Sequence, residues 1–115
     1  AGHDPAFLYD PQQDRFRDLA GEGAPLGLSD TTRFFESTLP LAVGQVIIIG
    51  TDGIWEARNP AGQMFGKGRL MQAIRENAVE PAKAIAIAVL DAVEEFRNRG
   101  EQADDITVMA IKVTV

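Results

Sequence analysis

The longest run of branched aliphatic residues in the chain, Val46-Ile47-Ile48-Ile49, leads into Gly50-Thr51-Asp52-Gly53. A run that is apolar at every position, rather than at every second one, predicts a strand covered on both faces, here over residues 46–51. Ala6 to Tyr9 and Arg15 to Leu19 are shorter strand candidates. The turn-like Asp10-Pro11-Gln12-Gln13-Asp14 between them predicts a hairpin. The glycine-rich residues 21–30 have no periodicity and read as a surface connection. Arg33 to Leu39, with its phenylalanines and threonine, is a further strand candidate, and Ile106 to Val115 is apolar on both faces until Lys112 and predicts the last strand.

After the turn Asn59-Pro60-Ala61-Gly62 the period changes. Leu70, Met71 and Ile74 share one face of a helix expected from about Lys67 to Asn77. Pro81 suits the first turn of a second helix, in which Ala82, Ile85, Ala86, Val89, Val93 and Phe96 form an apolar stripe. Lys83, Asp91, Glu94 and Asn98 occupy the wet side, Ile87 falls there too, and Gly100 is the expected stop. The order predicts an α+β fold with a mainly antiparallel sheet and two adjacent amphipathic helices on one sheet face. Strands apolar on both faces also need a cover on the other side. A second sheet is the expected cover, and too few strands for two sheets predicts a portion of a longer domain.

Charge narrows the function. The chain has 115 residues, 17 acidic and 11 basic, for a net charge of -6, and no cysteine. The acidic balance argues against nucleic acid and anionic membrane as partners, and the lack of cysteine removes thiolate catalysis and sulfur-ligated zinc. No apolar stretch approaches the ~18 residues of a membrane span, which predicts a cytoplasmic protein without membrane insertion.

Candidate chemistry lies at the strand ends. Asp52 follows one apolar strand, while Asp104 and Asp105 precede another. If these two strands pair antiparallel, the carboxylates meet at one rim, where their repulsion calls for a cation, and aspartate oxygens suit Mg2+ or Mn2+. Gly53 leaves room for a sharp turn, and Glu56 adds a carboxylate near the same rim. The alternative is structural, since an Asp-Gly pair is also a turn signal and Asp104-Asp105 also marks a helix-to-strand loop.

The string TDGIWEARNPAGQMFGKGRL at 51–70, then QADDITVMAIKV at 102–113, resembles the metal-dependent serine/threonine phosphatases of the protein phosphatase 2C (PP2C) type, in the bacterial branch that includes RsbU and SpoIIE. AGHDPAFLYD at 1–10 and GAPLGL at 23–28 fit the same branch in the same order. The fold this resemblance implies is the C-terminal half of an α-β-β-α sandwich. Asp52 and Asp104 are implied metal ligands, and Asp105 a supporting residue or alternate ligand. Glu56 stands where other members place an aspartate associated with a third metal. His3 replaces another family aspartate, and Gly53 supports the site. Arg58, Lys67 and Arg69 are the basic residues nearest the motif, Arg58 being the first candidate for the substrate phosphate.

The implied activity is hydrolysis of phosphoserine or phosphothreonine by a water activated by two Mn2+ or Mg2+ ions, with no protein nucleophile. The implied substrate is a phosphorylated protein such as an anti-sigma-factor antagonist. Because the family draws further ligands from an earlier segment, the N-terminal half of the same domain is an implied partner. A catalytically incomplete interaction or regulatory module is the alternative. An exposed strand left without that half would favour a homo-oligomer.

Overall fold

The computed structural model describes residues 6–19, 30, 40–98 and 106–114. Among them, strands β1 (Ala6–Asp10), β2 (Arg15–Leu19) and β3 (Val46–Gly50) are followed by helices α1 (Gly66–Asn77) and α2 (Ala82–Arg97) and then by strand β4 (Val108–Lys112). The strands form one antiparallel sheet in the order β2-β1-β3-β4. This is the expected mixed α+β arrangement, consistent with half of a PP2C-like sandwich. The strand candidate at 33–39 and the glycine-rich 21–29 lie outside the described residues.

Register decides which side chains meet. Phe7 stands opposite Ile48, and Tyr9 opposite Val46; directly opposed residues point to the same face. These four are buried with Leu70, Ala73 and Ile74 of α1 and Ile85, Val89 and Val93 of α2 in one core. Each isoleucine or leucine withdrawn from water there contributes about 1.5–3 kcal/mol. The opposite sheet face carries Ile47, Ile49, Met109 and Ile111, with Met109 55% and Ile111 42% exposed. The apolar character of β3 and β4 on both faces is therefore only half used by the two helices.

The helix ends refine the sequence reading. Pro81 precedes α2 in an extended conformation, and its carbonyl accepts the Ile85 N–H. α2 ends at Arg97, before Gly100, because Asn98 adopts a left-handed conformation (φ 47°) and donates its N–H to the Glu94 carbonyl. Asparagine tolerates that conformation better than most side chains. Arg97 is only 7% exposed. It extends the row Ile85, Val89, Val93 by four residues, so its stem packs while its guanidinium meets Glu94 at 2.8 Å. Ile87 is 47% exposed, as its wheel position predicts.

The hairpin is tied to α1 at Asp14, itself at positive φ. Its carboxylate accepts the Tyr9 hydroxyl at 2.8 Å and Arg75 Nε at 2.8 Å, and Tyr9 stacks on Phe16 with centroids 4.5 Å apart. The hydrogen bond from Arg75, then that from Tyr9, holds the Asp14 carboxyl below its ordinary pKa. A depressed carboxylate stabilises the fold above its unfolded pKa of about 3.9 and loses that contribution as pH falls through the lower folded value. Asp14→Asn is therefore expected to lower the urea midpoint at pH 7, with the gap to the parent chain shrinking by pH 3. A gap that stays constant with pH would contradict this linkage.

Candidate functional site

β3 ends where the candidate chemistry begins. Beyond Gly50, the Thr51 N–H donates to the Thr107 carbonyl at 3.1 Å, and the Thr107 N–H donates to Thr51 Oγ1 at 3.1 Å. The antiparallel pairing of Gly50 with Val108 thus continues past the strand ends. The exit of β3 and the entry of β4 share one rim, as the sequence suggested. β1 runs opposite to β3, so its first residues start from this rim as well.

Residues 52–56 then form a tight turn. The Ile54 N–H donates to the Thr51 carbonyl and the Glu56 N–H to the Asp52 carbonyl, at 3.1 and 2.9 Å. An i to i+4 backbone bond stacks two residues on one face of a helical turn, so Asp52 and Glu56 lie side by side. Both are exposed, while Gly53 and Ile54 between them are buried. Ile54 is 0% exposed and pins the turn to the core. Gly50 leaves room for Ile54 where it stands, since a Cβ there would be 2.7 Å from Ile54 Cδ1, the far end of a side chain that would have to shift. The sequence reading did not single out Gly50; the closing glycine of the VIIIG run was the available signal.

The chain leaves the turn through a small hairpin. Arg58 bridges to Met64, the Asn59 N–H donates to the Gln63 carbonyl, and Arg58 Nη1 donates to the Gly62 carbonyl at 2.6 Å. The Phe65 N–H then returns to the Ala57 carbonyl and the Gly66 N–H to the Trp55 carbonyl, at 2.7 and 2.9 Å. Those two bonds set the start of α1 against the turn. Gly66 has φ 80°, a conformation that side-chain-bearing residues rarely adopt. Lys67 follows, its ammonium 5.0 Å from the Trp55 ring centroid and 5.5 Å from that of Phe7.

Asp52 and Glu56 are oxygen donors of the kind that hard divalent cations accept. They fit such an ion in chemistry but not, by themselves, in number. Among the described residues, no group of three or more Asp, Glu, His or Cys side chains is arranged to hold a metal. Asp104, Asp105 and His3 lie outside the described residues. Among the described residues, no helix is long and apolar enough to cross a membrane.

Comparison with known proteins shows a match over residues 1–114 to the family described as Stage II sporulation protein E (SpoIIE). Protein IcfG of Synechocystis sp. is 29% identical over 111 residues, which are 96% of this chain and 17% of that protein. Phosphoserine phosphatase RsbU of Bacillus subtilis is 26% identical over 112 residues, 97% of this chain and 33% of that one. The solved SiaA-PP2C domain of Pseudomonas aeruginosa superposes with a TM-score of 0.77 at 26% identity, covering 96% of this chain and 44% of that one. The phosphatase domain of the cell fate determinant SpoIIE from Bacillus subtilis gives 0.65 at 18% identity, a likeness of fold, covering 98% and 48%. The chain spans a third or less of these curated relatives and under half of these solved chains.

Proposed function

The chain belongs to the SpoIIE family of PP2C-type phosphatase domains, and from that membership we propose that its 115 residues are a phosphatase-like portion, catalytically incomplete by itself, of a metal-dependent serine/threonine phosphatase. Activity then belongs to the complete domain, whose other half supplies the remaining ligands. The observation that carries this reading is the Thr51–Thr107 pairing, which joins the exit of β3 to the entry of β4. Asp104 stands three residues before Thr107 in the sequence. Asp52 and Asp104 are thereby candidates for one shared site. The incompleteness rests on coverage of 44% and 48% of the solved chains.

In this reading Asp52 and Asp104 hold Mn2+ or Mg2+, Asp105 and His3 support them, and Glu56 adds charge beside Asp52. When bound, two such ions supply an activated water and offset charge on the phosphoryl group. Ile54 and the turn hydrogen bonds keep Asp52 at the rim, and Gly53 leaves space there. The substrate class is a phosphorylated protein, an anti-sigma-factor antagonist being the specific candidate. The apolar sheet face with Met109 and Ile111 suits cover by the rest of the domain, and in its absence by a second copy of the chain.

The ligand assignment is tested by titrating Mn2+ against phosphate release in the complete domain. Asp104→Asn is expected to raise the half-saturating Mn2+ concentration at least about tenfold, and Asp105→Asn to raise it less. Equal, negligible shifts would remove both residues from the site.

A further inference from the structure

Most basic side chains near the rim are already engaged by oxygen acceptors. Arg58 donates to the Gly62 carbonyl at 2.6 Å, and Arg69 donates to the carbonyls of Met64 and Phe65 at 3.1 and 2.8 Å while lying over the Phe96 ring. Both arginines thus brace their own loop. Lys67 differs. Its ammonium stands over the faces of Trp55 and Phe7, and no carboxylate or carbonyl among the described residues receives it. Aromatic faces attract a cation without satisfying its N–H groups as an oxygen does, so donors remain to offer.

Position gives this charge its meaning. Trp55 lies within the turn that carries Asp52 and Glu56, and Phe7 is near the start of β1, whose first residues begin at the same rim. α1 brings no acidic residue into its first turn to neutralise Lys67. An approaching phosphate dianion would otherwise meet two exposed carboxylates on a chain of net charge -6. A lysine is a mobile point charge suited to such a group, and the two rings hold it beside the turn without taking up its hydrogen-bonding capacity.

We infer that Lys67 is the side chain that receives the phosphate of a phosphorylated serine or threonine at this rim, a role that rests on the phosphatase reading. It is a specificity-determining residue for the phosphorylated substrate and takes no part in activating water. The shared chemistry is a phosphate dianion, whether carried by a protein side chain or free as the released product.

Trp55 is the sole tryptophan of the chain and reports directly on the ammonium above it. The 115-residue chain and its Lys67→Gln and Lys67→Arg variants would be titrated with a phosphoserine peptide, its unphosphorylated counterpart and inorganic phosphate, following Trp55 emission. A saturable change with the phosphopeptide that is lost in Lys67→Gln and kept in Lys67→Arg is the expected result. No change in the parent chain, an equal change in Lys67→Gln, or an equal response to the unphosphorylated peptide would overturn the inference. In the complete domain, Lys67→Gln is expected to raise KM for the phosphopeptide about tenfold with kcat little altered. An unchanged KM would also overturn it. A complete domain with no turnover at all would instead defeat the phosphatase reading, leaving the fluorescence titration to judge Lys67.

Discussion

Asp52→Asn in the complete domain is expected to lower the rate of phosphate release by at least about a hundredfold, the scale on which removing one electrostatic element of a preorganised site acts. The substitution keeps the shape of the side chain and removes its charge. Asp52 is exposed, and its backbone carbonyl, rather than its carboxylate, holds the turn by accepting the Glu56 N–H. The thermal midpoint is therefore expected to stay within about 4 °C of the parent, as for a surface change of up to ~0.5 kcal/mol in a small domain. Steady-state phosphate release and a thermal melt on the same preparation separate the two effects. Retained activity would remove Asp52 from the metal site, and a collapsed midpoint would make it a structural residue.

The parts of this arrangement that were legible in the sequence are those set by local pattern. The unbroken run 46–49 marked the central strand, and the change from near-continuous apolar residues to helical spacing marked α1 and α2. The spacing of Ile85, Val89 and Val93 identified the face of α2 that the sheet buries. The features that escaped depend on tertiary neighbours. Arg97 reads as a polar residue until its place in the row Ile85–Val89–Val93 is combined with Glu94 one turn back. Gly50 reads as the end of a strand until Ile54 folds back against it. Lys67 reads as one of three cations, with Arg58 the first candidate, until the two arginines are seen bonded to their own loop. The site itself was legible only in part. Asp52 and Glu56 share a face as their spacing allows, whereas Asp104, Asp105 and His3 lie outside the described residues.

The 115 residues on their own are expected to release phosphate from a phosphoserine protein at less than about a thousandth of the rate of the complete domain, whatever the Mn2+ concentration. Losing several members of a cooperating site reduces turnover by at least as much as losing one, so a half set of ligands falls to the background left by binding alone. Folding is a separate matter. Among the described residues, the core formed by β1, β3, α1, α2 and the turn that carries Ile54 contains eight side chains that are essentially fully buried, among them Ile48, Ile54, Leu70 and Ile74. A segment that is folded but inactive is the outcome that distinguishes an incomplete site from a misfolded one.

The most direct measurement is phosphate release from one phosphoserine substrate by the 115-residue chain and by the complete domain, with and without Mn2+, with the intact mass of each active species determined. Metal-dependent turnover confined to the complete domain, with the 12.4 kDa chain inactive, is the predicted result. Rapid Mn2+-dependent turnover by the 12.4 kDa species alone would contradict the account.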